Sequence, residues 1–463
     1  MPVSVARGFH VVIEHLPVFM LVALAFGLFS GLPVAVILAG LGIAFSLLGV
    51  LLGEMPLIAL FNIPLKMWGS VSGSLVYTAV VMLLLMGVAL EKSGSAHQLL
   101  RCLQLLLRRV PGGLAVAVIV IGVILAPAAG LVGASVVTLT LIAMPSMLAR
   151  GYAPASAAGA IAAAGTVGII LPPAVMLFFL AGQFQVTIGS MFLSTVLPGA
   201  LLVTGYIAFY IAQGWRHGGD ELELKELSPA SPKAWFVLVF RGLALPVTLV
   251  ALVLGSIIYG WATPRQSAAL GAAGGLALIA INGHFTWAVI RDVTLTTATL
   301  TAMVFFIIIA ATVFSYPFVY FGGNDVIAET LHALNLNAWG TLSVILAIIF
   351  LLGFFIDWIE ITVIFLPLFL PVLGLLEFEG HAPGGKMTMV WMATLVAMTL
   401  QTSFITPPFG FALFFLKGAA PPQVTLLQIY RGMLPILLIQ LVAIAMVLAW
   451  PSLALYLPIS KYG

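Results

Sequence analysis

The sequence predicts an all-α polytopic membrane protein built as two inverted repeats. Each repeat carries a re-entrant helical hairpin and a helix broken at a Pro-Pro pair. Three observations lead there. The 463 residues are 63% hydrophobic and 7% charged, with a mean hydropathy of +1.24. No soluble fold hides that much apolar surface. The apolar runs are continuous instead of alternating, which excludes a β-barrel. Two of those runs are interrupted in the same way, by Gly165-Thr-Val-Gly-Ile-Ile-Leu-Pro-Pro173 and Thr402-Ser-Phe-Ile-Thr-Pro-Pro-Phe-Gly410. Adjacent prolines remove two N–H donors and clash with the preceding turn. A bare break in hydrocarbon leaves carbonyls unpaired, at several kcal/mol each.

Each element follows from its run of residues. Spans are expected near 10–30, 33–53 and 72–91. The first run has helix length and no clear cleavage site, so it reads as a span, not a signal peptide. Glu54–Gly69 mixes Glu54, Asn62, Lys66 and Trp68 with apolar residues, as an interfacial segment does. Over 92–112, His97, Arg101, Gln104, Arg108 and Arg109 alternate with leucines at helical spacing, which predicts an amphipathic basic helix. The segments 113–127 and 136–149 are too short to span comfortably. They read as a re-entrant hairpin whose tip is Ala126-Pro-Ala-Ala-Gly-Leu-Val-Gly-Ala-Ser135, with two thin, tilted spans as the alternative, which loop charge alone does not separate. A broken helix at 154–182 and a span at 189–213 complete the first half.

Residues 214–235 form the one substantial polar loop, and we read 1–213 and 236–463 as the two repeats it joins. The second half repeats the order. Spans fall near 240–261, 266–282 and 296–320, followed by a short acidic connection with Asp325 and Glu329. A hairpin at 338–376 has Phe354-Phe-Ile-Asp-Trp-Ile-Glu360 at its tip. The broken helix at 388–416 and a last span at 431–458 end the chain. Such duplication is a common plan for secondary transporters. With re-entrant hairpins and a periplasmic N-terminus, twelve Lys and Arg fall on cytoplasmic loops and five outside. That satisfies the positive-inside rule, inverts one half against the other and puts both termini in the periplasm.

Function classes narrow accordingly. The net charge of +3 reflects membrane topology and does not suggest nucleic acid. The single Cys102 excludes an internal disulfide and a cysteine-based metal cluster. There is no Walker motif, HExxH or nucleophile elbow, so neither ATP hydrolysis nor another enzyme activity is expected. His284, His332 and His381 are scattered over predicted loops, and Glu14 and His15 are expected at an interface.

A hairpin tip facing a broken helix gathers carbonyls and hydroxyls near mid-membrane. Oxygen-rich, largely uncharged sites of that kind suit Na⁺, and half-helix N-termini offer donors to an anion. The first candidate ion site takes Gly133, Ser135 and Thr138 from the tip with Thr166 and Gly168 from the break. The second takes Asp357 and Glu360 with Thr402, Ser403 and Thr406. Substrate is expected between the tips, near Ser135, Thr166, Pro172, Asp357 and Pro407. For the hydroxyls the competing reading is a bond to the carbonyl of their own preceding turn. Intramembrane carboxylates are costly and mark function, so Asp357 and Glu360 are the sharper signal. A structural ion pair or an interfacial position is the alternative for Glu360.

These residues resemble a known family over essentially the whole chain. Met86-Gly-Val-Ala-Leu-Glu-Lys-Ser-Gly94, Ala149-Arg-Gly-Tyr152, the run Gly159–Pro173, Phe355-Ile-Asp-Trp-Ile-Glu-Ile361 and Leu400–Gly410 are similar to the large membrane (DctM-like) subunit of TRAP, tripartite ATP-independent periplasmic, transporters. The resemblance implies an elevator-type secondary transporter, similar to the ion-transporter superfamily, in a bacterial inner membrane. It implies a small four-span membrane subunit, a periplasmic solute-binding protein that delivers substrate, and Na⁺-driven uptake of organic acids with no other cofactor. Many members have a serine-rich first tip, where this chain has Gly130-Leu-Val-Gly-Ala-Ser135, which favours backbone carbonyls there. The second tip reads Asp-Trp-Ile-Glu instead of the Asp-Pro-Thr-Ala of many members, which looks like a subgroup associated with 2-oxo acids and other monocarboxylates. A stand-alone H⁺- or Na⁺-coupled carboxylate carrier is the alternative. A channel lacks a continuous polar pore, and an aspartyl-type membrane protease would have Asp357 and Glu360 alone to work with.

Overall fold

The computed structural model describes residues 15–73, 75–125, 132–217, 231–408 and 410–462. Arg7, Glu14, most of the expected first tip (126–131) and most of the inter-half loop (218–230) lie outside the described residues. Within them the regular structure is entirely helical. The first half runs α1 (Leu16–Leu28), α2 (Val34–Leu51), the short interfacial α3 (Asn62–Ser72), α4 (Leu75–Lys92) and the amphipathic α5 (Ser95–Leu106). Then come the hairpin arms α6 (Gly113–Ile124) and α7 (Val132–Ala149), the broken helix α8 (Pro154–Val167) with α9 (Val175–Gln183), and α10 (Ile188–His217). The second half runs α11 (Pro232–Ile258), α12 (Pro264–Ile281), α13 (Trp287–Tyr320) and the short α14 (Gly323–Ala333). The hairpin arms α15 (Ala338–Leu352) and α16 (Trp358–Leu373) follow. The broken helix α17 (Gly385–Ser403) with α18 (Phe411–Ala419), then α19 (Leu426–Ala449) and α20 (Ser452–Tyr462), complete the chain.

Local chemistry sets the helix starts. Thr263 and Thr425 each open a helix with a capping box, paired with Gln266 and Gln428. Ser231, Thr286 and Asn337 cap α11, α13 and α15. Each such cap contributes about 1 kcal/mol. Among the described residues, six helices are long and apolar enough to cross a membrane by length and composition, and a seventh is if the bent pair Leu57–Ser72 and Tyr77–Lys92 is one span.

Three boundaries differ from the sequence expectation. The second arm of the first hairpin starts at Val132, and its 18 residues reach about 27 Å, close to the hydrocarbon thickness. Gly133, Ser135 and Thr138 therefore sit on the first turns of α7 and not on a non-helical tip. The first arm, at 12 residues, remains short. The polar loop ends earlier than expected, because Ser231 caps and Pro232 opens α11 at N1. The last apolar run is two helices, since α19 stops at Ala449 ahead of Trp450-Pro451.

The packing exchanges elements between halves. Helix α2 packs along α13, and α4 along α12. Helix α8 packs on α19, and α17 on α10. Beyond the breaks, α9 leaves its own hairpin and packs against α16 of the other half, while α18 packs against α7. The first arms of the two broken helices form the centre. Residues 157–167 are all buried, and so are 390–403.

Close approach at the centre depends on small residues. A Cβ on Gly432 of α19 would overlap the Ala155 carbonyl of α8. Gly432→Val should therefore destabilise the protein by about 1–3 kcal/mol, the usual cost of overpacking. In α2, Gly40 has open space around its Cβ position, so Gly40→Ala should be neutral or stabilise by up to ~1 kcal/mol. Melting of the two detergent-solubilised variants separates these outcomes; equal melting temperatures would contradict the α8–α19 contact.

Candidate functional site

The first break is enclosed by its own hairpin. Gly165 approaches Val136 of α7 so closely that a Cβ would overlap its side chain, and Gly122 of α6 lies against the Ala164 carbonyl. The chain then leaves helical geometry from Gly168 to Ala174, with a cis bond at Pro172-Pro173, and resumes at Val175. A cavity of ≈ 20 Å³ lies here, lined by Glu91, Gly122, Leu125, Ser135, Thr138, Leu139, Ala164, Gly165 and Gly168. Of the five predicted ligands it brings together Ser135, Thr138 and Gly168. Thr166 is fully buried and donates to the Ala162 carbonyl at 2.8 Å. Gly133 faces the Phe415 ring of α18 instead of the cavity.

Glu91 is the lining residue that sequence reasoning missed. It ends α4, is half-buried, and accepts a hydrogen bond from Thr138 Oγ1 at 3.1 Å. Its neighbour Lys92 pairs with Asp292 at 2.7 Å on the exposed side. The corner after Glu91 is fixed by a polar clasp. The Ser93 carbonyl accepts from Asn282 Nδ2 at 3.0 Å and pairs with His284 Nδ1 at 2.9 Å. Gly94 turns at φ +74°, where a Cβ would strike the His284 ring.

The second break is built alike with a richer set of polar groups. Ser403 lies directly on Gly353, at the end of α15. Phe404 O accepts from Ala412 N at 3.0 Å and Thr406 O from Gly410 N at 2.9 Å, so the loop satisfies part of its own backbone. The Pro407-Pro408 bond is cis, as in the first break. Pro172 is buried and Pro407 half-buried. The Pro408 carbonyl accepts from Tyr430 at 2.6 Å.

Asp357 and Glu360 stand at the facing tip, 8% and 7% exposed. Asp357 is the N-cap of α16, its Oδ1 accepting from Trp358 N at 2.8 Å. Glu360 lies three residues further along, on the first turn of α16. A π-helical turn over Ile361–Phe365 follows at once, a distortion common at functional sites. Helix α9 comes alongside, and the Phe179 ring meets Trp358 edge-on at 5.5 Å between centroids.

The hydroxyls of the breaks take the back-bonded arrangement. Thr402 donates to Met398 O at 2.8 Å, Ser403 to Leu400 O at 2.7 Å and Thr406 to Thr402 O at 2.7 Å. This is the arrangement that competes with ion ligation for such hydroxyls: each bonds a carbonyl of its own preceding turn. Glu360 Oε2, Trp358 Nε1, Thr362 Oγ1 and both amide atoms of Gln401 are buried without a hydrogen-bond partner. Buried polar groups are normally paired; these five unpaired atoms lie on the first residues of α16 and near the end of α17. Gln401 and Trp358 were not singled out from sequence, although a glutamine inside an apolar helix was the signal for the first.

A bundle of broken helices and hairpins around oxygen-lined sites has the construction of a secondary transporter. The comparisons agree and go further. Residues 21–453 match the family described as tripartite ATP-independent periplasmic transporter, DctM component. The chain is 27% identical over 382 residues to the C4-dicarboxylate TRAP transporter large permease protein DctM of Pseudomonas aeruginosa, covering 82% of this chain and 85% of that one. It is 26% identical over 414 residues to the uncharacterized protein YgiK of Salmonella typhimurium, covering 89% and 91%. Its fold is similar to the crystal structure of the Alcanivorax borkumensis YdaH transporter, with TM-score 0.56, 18% identity, and coverage of 87% and 89%. The chain belongs to the DctM family. It is a multi-pass large permease subunit of a TRAP transporter and not an enzyme.

The Gly353–Ser403 contact ties the second hairpin to its break. Gly353→Ala should lower the melting temperature, and Ser403→Ala added to it should recover part of the loss, since contacting residues couple by about 0.5–3 kcal/mol. Strict additivity of the two effects would contradict this contact.

Proposed function

We propose that this permease imports a small carboxylate with Na⁺, by an elevator motion of two inverted repeats. The carrying observation is the exchange of elements. Each broken helix encloses its break with its own hairpin and sends its second half to the hairpin of the other repeat. Two break-and-tip sites are thus mechanically joined, as a cotransport cycle requires. The unpaired donors of the second site, Trp358 Nε1 and Gln401 Nε2, are groups that suit a carboxylate. Asp357 and Glu360, buried on the α16 tip, supply the negative charge that suits Na⁺, with Thr402, Ser403 and Thr406 on the break as the other candidate ligands. At the first site Ser135, Thr138 and Gly168 are the ion-facing residues, and Gly133 and Thr166 lie outside the cavity lining.

The same reading places the chain in a bacterial inner membrane with both termini periplasmic. A small four-span subunit supports the outer helices, where Phe61, Leu65 and Trp68 of the α3 region are exposed. A periplasmic binding protein delivers the solute. The relatives named for C4-dicarboxylates support an organic acid as cargo.

Reconstituted complex should lose uptake when Na⁺ is replaced by K⁺, and uptake sustained by a proton gradient alone would sink Na⁺ coupling. Asp357→Ala should raise the Na⁺ concentration for half-maximal uptake by about tenfold, as losing a charged ligand does; an unchanged Na⁺ dependence would remove Asp357 from the site.

A further inference from the structure

We propose that Glu91 is the charged ligand of the first ion site, so that a carboxylate from α4 completes a monovalent-cation cavity formed by the first hairpin and break. This rests on the reading that the first site binds Na⁺.

Five observations converge on it. The cavity measures ≈ 20 Å³, and about 10–15 Å³ suffices for one water-sized particle. An organic acid does not fit, and a single small ion does. Among the described residues, the charged group on its wall is the Glu91 carboxylate, and no basic side chain lines it. Ser135 and Thr138 add hydroxyls, and Gly165 and Gly168 bring backbone to the rim of the break, while Leu125, Leu139 and Ala164 supply a low-dielectric wall. Lys92, next in sequence, is held by Asp292 at 2.7 Å. A carboxylate in such a wall needs compensation by a cation or a proton. Thr138 donates its hydroxyl hydrogen to Glu91 Oε1 at 3.1 Å. That bond joins the α4 carboxylate to the hairpin arm α7.

The position of Glu91 has a consequence for coupling. Helix α4 packs along α12, whereas Thr138 and Ser135 ride on the hairpin arm α7. A cation held by both therefore bridges α4 to the hairpin.

The test is equilibrium binding of radioactive Na⁺ to the full-length chain in lipid nanodiscs, with no carboxylate present. Glu91→Gln keeps the acceptor for Thr138 and removes the charge. It should weaken one class of Na⁺ binding by about tenfold or more, while the second-site class persists. Glu91→Asp, which keeps the charge on a shorter stem, should fall between, and settles the matter if Glu91→Gln does not fold. Asp292→Asn removes a nearby surface charge and should shift binding by no more than about twofold. Wild-type Na⁺ binding with Glu91→Gln unchanged overturns the Glu91 assignment and leaves Na⁺ coupling intact. A wild-type chain that binds no Na⁺ overturns the Na⁺ reading itself. Equal losses in Glu91→Gln and Asp292→Asn would show general electrostatics instead of ligation, and would also overturn the assignment.

Discussion

Inside a bilayer every backbone polar group must be satisfied by protein, because hydrocarbon offers nothing in return. The two proline-broken helices strain that constraint most, and the rest of the molecule is arranged around them. Residues 165–170 and 172–174 are buried, as are 402–406. Hairpin arms wrap each break, the partner half supplies the next layer, and the second loop closes partly on itself through Gly410 and Ala412. A break protected this thoroughly leaves free backbone where lipid cannot reach it.

The exchange of elements follows from the same constraint. A helix that stops in mid-membrane has to resume against protein. Helix α9 resumes against α16, and α18 against α7, each belonging to the opposite half. The outer helices do likewise, α2 with α13 and α4 with α12. Neither half encloses its own breaks alone. The two sites differ in chemistry despite this shared plan. The first has few hydroxyls and one carboxylate brought in from α4. The second has two carboxylates on its own tip and several buried polar atoms without partners.

Much of this was legible in the sequence. The helical breaks at the two Pro-Pro pairs come from residues whose physics is strong and local, whereas the second arm of the first hairpin proved longer than its apolar run suggested. Asp357 and Glu360 stood out because carboxylates are rare in apolar runs. Glu91 did not, since beside Lys92 at the end of an apolar run it resembles an ordinary interfacial pair. Its contact with Thr138, 47 residues away, is a product of tertiary packing. The facing of Gly133 was hidden for another reason: α7 is apolar on most sides, so nothing in its pattern reports its rotation. The start of α11 was readable in Ser231-Pro232, but the polar residues before it masked the cap.

The central claim is that the two hairpin sites move together across the membrane. Substituted-cysteine accessibility tests it most directly, after the lone Cys102 is replaced. Ser135→Cys and Thr406→Cys, each reconstituted in vesicles, are challenged with an impermeant thiol reagent from either side. The account predicts that both positions change the side from which they react when Na⁺ and substrate are supplied. Labelling of either position from one fixed side under all conditions would contradict it.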